Sequence, residues 1–195
     1  MKRQSTLSKY KAALFCLFPV MLYANDLPKW EILPAQSNIT FTAIQNNAPI
    51  SGQFKRFTGE IAVDPKRYES SQINITIDMT SLSASYHDLV TMLLSADWFD
   101  VSRFPSASFK ATRFNKINEN TYTAAGTLTI RNKTVPVTLT FTAEENDRDY
   151  TVVQGNTTIK RTAFGVGQGE WADVSSIKDE VQVNFKVTAQ KINLD

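Results

Sequence analysis

The chain has 195 residues, with 21 Lys and Arg against 19 Asp and Glu, and a formal net charge of +2. This near-neutral balance without a basic cluster argues against nucleic acid as a partner, because phosphate binding requires grouped Lys and Arg. One cysteine, Cys16, and one histidine, His87, exclude an intrachain disulfide and leave too few ligands for a transition-metal centre.

Residues 1–24 are typical of a secretory signal peptide. Four basic residues precede an uncharged apolar run over residues 12–23, and the small Ala24 closes it. The run is shorter than the roughly 20 residues that a membrane-spanning helix needs. We therefore expect export, cleavage after Ala24 and a mature domain of residues 25–195. Cleavage removes Cys16 with four positive and no negative residues, which takes the formal net charge from +2 to −2.

Alternation of apolar and polar residues predicts about eight strands after the leader. The pattern is strict at residues 71–79, where Ile73, Ile75 and Ile77 alternate with polar residues, and again at 135–141 and 181–189. Weaker versions cover 38–44, 52–63, 107–114, 122–130 and 150–161. Because strand follows strand with little helix between them, we expect an all-β, antiparallel fold in a single domain.

One segment, residues 85–95, departs from this pattern. Leu89, Met92 and Leu93 have helical spacing, and Ser83 or Ser85 is a candidate for the helix N-cap. An aromatic turn follows and leads into the strand near residue 107. We expect its four aromatic side chains to face a shared apolar space, namely Trp98, Phe99, Phe104 and Phe109.

Candidate catalytic and metal-binding groups have simpler structural interpretations. The glycine-rich FGVGQGE segment (164–170) is not followed by a helix, so we interpret it as a turn rather than a nucleotide loop. We interpret His87 as a solvated residue, and the Asp97 and Asp100 pair as turn residues. The acidic run at 144–149 is interpreted as a solvated hairpin tip. We therefore predict no catalytic residue and no metal site.

Eight antiparallel strands that close into a barrel enclose a space for side chains or for one elongated ligand. Closure also removes the strand edges that invite aggregation. The sequence pattern alone leaves open whether the interior is a filled core or a lipid cavity, because both require inward-facing apolar side chains.

Four segments, in order along the chain, together resemble the YceI-like family. They are ISGQFKRFTGEIAVDP (50–65), DWFDVSRFPSASF (97–109), GTLTIRNKTVPVTLTF (126–141), and RTAFGVGQGEWAD with DEVQVNF (161–173 and 179–185). The sequence departs from the family pattern at Gln45, where many relatives carry histidine, and at Leu89 and Val90, where they carry an Arg-Asp pair.

The resemblance implies an extended eight-stranded antiparallel lipocalin-like β-barrel with one short helix covering an opening. It implies a periplasmic protein that holds a long isoprenoid chain, such as a polyprenol or the tail of a quinone, without catalysis or a cofactor. Gln45, Gln53 and Gln168 are candidates for hydrogen bonds to the head group. The ligand-binding positions carried over from the family are Phe54, Phe57, Ile75, Ile77, Leu93, Trp98, Phe99, Phe104, Phe109, Leu128, Ile130 and Phe164.

Two other functions remain as alternatives. One is an enzyme acting on small lipids, with His87 or the pair Asp97 and Asp100 in its active site. The other is a stress-response or structural module whose solid core binds no ligand. A transient membrane contact for lipid loading and a homodimer are also left open by the sequence.

Overall fold

The computed structural model describes residues 27–145 and 149–192, so the predicted signal peptide lies outside the described residues. In the described part the secondary structure is mostly β, with one α-helix, α1 (His87–Leu94). The strands are β1 (Lys29–Ile32), β2 (Asn38–Gln45), β3 (Ala48–Phe54), β4 (Phe57–Ala62), β5 (Gln72–Asp78), β6 (Leu82–Ala84), β7 (Ser106–Lys116), β8 (Thr121–Ile130), β9 (Lys133–Glu145), β10 (Tyr150–Lys160) and β11 (Glu180–Lys191).

Eight of these strands form a closed antiparallel barrel, which confirms the predicted fold class. The order around the ring is β1, β4, β5, β7, β8, β9, β10 and β11, and pairing of β1 with β11 closes it. In the closing ladder Trp30 lies opposite Lys191, and Ile32 lies opposite Ala189. Closure gives every ring strand a partner on both sides, so no ring strand is an edge strand over its whole length.

Strand β11 also pairs with a strand outside the ring, in addition to β10 and β1, and this ladder extends the sheet beyond the ring. The first half of β11 pairs with β2, with Gln182 opposite Thr42 and Lys186 opposite Asn38. Strands β3 and β6 follow β2 in the sheet order. The prediction of a single strand over 52–63 was therefore wrong. This segment contains the end of β3 and all of β4, and the chain crosses between them at Lys55 and Arg56, whose amides donate to Ser81.

The two ends of the barrel differ in what covers them. At the end that we call the helical end lie α1, the turn at 95–105 and the β10–β11 loop at 161–179. At the other end, which we call the rim, lie the β4–β5 connection at 63–71, the β7–β8 turn at 117–120 and the last residues of β11. Antiparallel order fixes this division, because alternate connections fall at opposite ends.

The helical end contains a tightly packed core. Met79, Leu89 and Phe164 are at most 3% exposed there, and Trp98 is 5% exposed. Helix α1 begins after Tyr86 with no side-chain cap, so the predicted caps were wrong: Ser83 lies in β6, opposite Gln53. Burial of Leu89 and Leu93, rather than capping, stabilises this two-turn helix. Of the helices in the described ranges, none combines the length and apolarity needed to cross a membrane.

Arg161 holds the glycine-rich segment as a turn, as its sequence predicts. Gly165, Gly167 and Gly169 all have positive φ, between 61° and 76°, a conformation that favours glycine. The guanidinium of Arg161, which is 3% exposed, donates to the carbonyl oxygens of Val166, Gly167, Asp173, Ile177 and Lys178. Burial lowers the pKa of Arg161, and the nearby carboxylates of Asp179 and Asp173 oppose that shift.

Candidate ligand-binding cavity

The barrel is hollow in the half nearer the rim. A cavity of about 760 Å³, which we call the outer cavity, is lined by inward side chains from all eight ring strands and by Ile39 of β2. On β11 its lining extends from Val183 to Ala189, about 20 Å along the strand at the usual rise per residue. This volume lies within the range of small-molecule binding sites, roughly 300–1,000 Å³.

Inward side chains of the ring strands do not fill the space that they enclose. On β9, Val137, Leu139 and Phe141 face the outer cavity and are only partly buried, while Thr138 and Thr140 between them are exposed on the outside. The inward residues of β11 behave in the same way. In a filled core such apolar residues would be in contact on all sides and fully buried. Their residual exposure is therefore to the interior of the barrel.

The outer cavity changes from apolar to polar toward the rim. Its polar and charged lining residues there include Lys66, Ser71, Lys116, Glu119, Asn120, Glu144 and Thr151. The ring of Tyr122 stacks on Phe141, with 5.8 Å between centroids, and Tyr68 packs edge-on at the same distance. Lys116 Nζ lies 5.5 Å from the Tyr122 ring. A hydrogen bond to the Glu69 carboxylate raises the pKa of Tyr68.

A second, smaller cavity lies between the outer cavity and the helical end. This inner cavity has a volume of about 120 Å³, and its lining includes Leu93, Trp98, Phe99 and Phe164. The surface that it presents is entirely apolar. A constriction that we call the waist separates the two cavities, and it consists of the side chains that line both: Ile39, Ile77, Leu128 and Val183.

All but one of the predicted ligand-binding positions line a cavity. Phe57, Ile75, Ile77, Phe109 and Leu128 line the outer cavity, and Phe54, Ile77, Leu93, Trp98, Phe99, Leu128, Ile130 and Phe164 line the inner one. Phe104 lines neither. That these side chains contact a ligand remains a prediction.

The expectation that four aromatic residues share one apolar space was wrong. Trp98 and Phe99 line the inner cavity, whereas Phe109 lines the outer cavity. Phe104 precedes β7 and packs against two guanidinium groups, Arg103 at 5.3 Å and Arg131 at 5.9 Å from its ring. Because the chain passes from a turn into a strand between Phe104 and Phe109, closeness in sequence does not place the rings together.

Sequence reasoning missed much of the lining of the outer cavity. The missed residues include Val137, Leu139 and Phe141 of β9, and Phe185 and Val187 of β11. Alternation identified these strands but did not show whether the interior of the barrel is filled or hollow. Of the rim residues, Tyr68 and Lys116 lie outside the predicted strands, whereas Tyr122 begins the predicted strand at 122–130. The head-group candidates Gln45, Gln53 and Gln168 line neither cavity, because the outer cavity approaches the surface at the rim rather than beside the helix.

The candidate catalytic groups do not form a shared site. His87 is exposed at the start of α1, and Asp97 is exposed in the following turn. Asp100 is buried, accepts a hydrogen bond from Ser102 Oγ and pairs with Arg103 at 3.6 Å. None of them lines either cavity. Across residues 27–145 and 149–192, no three His, Cys, Asp or Glu side chains are grouped so as to hold a metal ion.

Comparison with solved structures gives matches over most of the described chain. BcnA of Burkholderia cenocepacia is 32% identical, with a TM-score of 0.77 over 80% of this chain and 98% of its own. A polyisoprenoid binding domain from Saccharophagus degradans, implicated in plant cell wall breakdown, has a TM-score of 0.68 at 13% identity, over 84% of this chain and 98% of its own. The second match supports the fold alone.

Sequence comparison gives the same family. The family model for YceI-like domains matches residues 30–189. A UPF0312 protein of Pseudomonas putida strain W619 is 31% identical over 122 residues, 60% of this chain and 64% of its own length. A UPF0312 protein of Vibrio parahaemolyticus is 29% identical over 90 residues, 46% of this chain and 48% of its own length. The chain thus spans about half to two thirds of the length of these curated relatives.

Substitution of matched leucines tests whether the barrel is hollow. Leu139→Ala should lower the free energy of unfolding by about 1 kcal/mol or less, because this side chain already borders empty space. Leu89→Ala in the packed helical end should cost about 2–5 kcal/mol, because it leaves a new cavity. Urea unfolding of both variants measures the difference. Equal, large losses would mean that Leu139 is packed as tightly as Leu89.

Proposed function

The chain belongs to the YceI-like domain family, and on this premise we propose that it binds a long-chain amphiphilic lipid. The ligand class that we propose is an isoprenoid, a polyprenol or a quinone tail, with its chain in the outer cavity. We further propose that the protein is periplasmic and that it carries out no chemistry on its ligand. The basic and apolar character of residues 1–24 supports export.

The observation that carries this proposal is the long apolar interior that the protein's own side chains leave unfilled. Transfer of a hydrocarbon chain from water to such a space is favourable by about 0.8 kcal/mol per methylene. A chain inside would also contact the inward faces of β9 and β11, which are otherwise only partly buried. Binding therefore needs no polar contact along the tail, and chain length provides the affinity.

The polarity gradient supports an amphiphile and gives its orientation. The tail would point toward the waist, and the head group would lie at the rim among Lys66, Lys116 and Tyr122. Lysine and glutamate side chains occur together at the rim, so no single sign of charge dominates. The Saccharophagus degradans neighbour is described as a polyisoprenoid binding domain, which supports an isoprenoid as the ligand class.

The two alternatives explain less of the structure. A solid-core module does not account for a cavity of about 760 Å³ lined by partly exposed aliphatic and aromatic residues. An enzyme would require its reacting groups to reach the bound lipid. His87, Asp97 and Asp100 line neither cavity.

Native mass spectrometry of protein from the osmotic-shock fraction of its host tests the ligand and the location together. The expected species is the chain 25–195 with one bound lipid.

Val153→Trp, which fills the outer cavity from β10, should weaken binding of added polyprenol at least about tenfold, because it displaces buried methylenes.

The matched control for this experiment is Val152→Trp. Val152 is the neighbour of Val153 on the opposite face of β10 and lines neither cavity, so this variant should bind like the wild type. Wild-type protein that carries no lipid and takes up no added polyprenol would contradict the proposed function. Recovery of the protein only from the cytoplasm would contradict the proposed location.

We also propose that the rim contacts a membrane surface while the lipid is loaded. Large apolar side chains are exposed around the rim: Ile117 at 60% in the β7–β8 turn, Tyr150 at 38% at the start of β10, and Ile192 at 42% after β11. They surround the end at which the outer cavity becomes polar. A bilayer would cover them and would let a lipid pass from the membrane into the cavity without crossing water.

Transfer of a fluorescent polyprenol from phospholipid vesicles tests this contact. Ile117→Asp should slow transfer about tenfold, because the apolar side chain would no longer enter the interface. Val174→Asp is the control, since Val174 is 43% exposed at the helical end. Affinity for polyprenol presented in detergent should be unchanged in both variants. Equal transfer rates for Ile117→Asp and the wild type would rule out this role of the rim.

A further inference from the structure

We propose that the inner cavity is a terminal subsite that takes the last few carbons of the ligand's chain, and that it sets the longest chain that binds with full affinity. This inference rests on the proposed function, because it concerns the same ligand. It adds a specificity determinant to that function: a short, closed space at a fixed distance from the rim.

The inner cavity suits a hydrocarbon end and not water. Its volume of about 120 Å³ has room for several waters at roughly 30 Å³ each, but a buried water needs two to four polar partners. Arg161 is the charged residue in its lining, and the guanidinium donates to backbone carbonyls such as those of Val166 and Ile177. Because only apolar surface faces the space, we expect it to be dry.

The waist separates the two cavities without packing tightly between them. Ile39, Ile77, Leu128 and Val183 are each only partly buried, although they lie inside the barrel. Leu128 packs against the core clusters on both sides of the waist. Because each of these side chains has empty space beside it, a change of rotamer can join the two cavities without a movement of the strands.

The side chains at the closed end of the inner cavity, which we call its floor, are held in place by packing. The inner cavity therefore limits the length of the chain that fits. Phe164 is 1% exposed and Trp98 is 5% exposed. Trp98 packs against Trp171 at 5.8 Å between centroids, and the Arg161 guanidinium lies 5.9 Å from the Trp98 ring. Further chain cannot displace these residues without loss of the packed core at the helical end.

The size of the inner cavity gives the expected effect. An engineered apolar cavity of roughly 150 Å³ in another protein admits one benzene-sized molecule, so this slightly smaller space takes only a few carbons. Each methylene buried there tightens binding about fourfold. Affinity should therefore rise with chain length until the chain end reaches the floor, and then remain level.

Ala107→Leu tests the subsite, with a homologous series of straight-chain primary alcohols of increasing length as the probe. Ala107 is 3% exposed and lines the inner cavity but not the outer one, so leucine would fill the inner space and leave the waist and rim unchanged. Ala125→Leu on β8 is the matched control, because Ala125 lines neither cavity. If Ala107→Leu does not fold, Ile159→Phe fills the same space from β10.

We expect Ala107→Leu to bind short alcohols like the wild type and to reach its maximal affinity a few carbons earlier. At the longest chains it should bind about tenfold more weakly than the wild type and Ala125→Leu. The same length dependence in the wild type and in a folded filling variant would overturn the subsite while the proposed function stands. Failure of the wild type to bind any alcohol would overturn the proposed function, and the subsite with it.

Discussion

The structure depends on a closed ring of backbone hydrogen bonds. The inward side chains of this ring are too small to fill the space that it encloses. Pairing of β1 with β11 closes the ring, so around the outer cavity the strands are held by their ladders rather than by a fully packed interior. An apolar cavity costs stability in most proteins, because its lining loses dispersion contacts. A bound chain of the class that we propose would restore those contacts, so the same deficit that weakens the empty barrel would provide the affinity for a hydrocarbon ligand.

A densely packed end and a hollow end lie at opposite ends of the barrel axis. At the helical end, Leu89, Trp98 and Phe164 form a dense core, and Arg161 holds the glycine-rich turn through hydrogen bonds to five carbonyl oxygens. At the rim, the side chains that line the cavity include charged and phenolic groups, and the cavity approaches the surface there. This division explains why one end can remain hollow: the other end and the ladders fix the strands.

Alternation predicted the strands of the barrel well, because one face of each strand meets the interior and the other meets water. It missed β1 and β6, which have four and three residues and are too short to show a period. It merged β3 with β4, because the chain passes from one strand to the other at Lys55 and Arg56 without a glycine or proline. Tyr68 in the β4–β5 connection meets Tyr122 of β8 only through tertiary packing, and Phe104 lies in the turn before β7 whereas Phe109 lies within β7. Local sequence could therefore place neither pair.

The most direct test of the central claim is a crystal structure of the lipid-stripped protein under xenon pressure, because xenon enters dry apolar cavities. The account predicts ordered xenon in the outer cavity, between the inward side chains of β9 and β11, with those side chains still apart. A barrel that takes up no xenon, with Leu139 and Phe185 turned inward to fill the space, would contradict it.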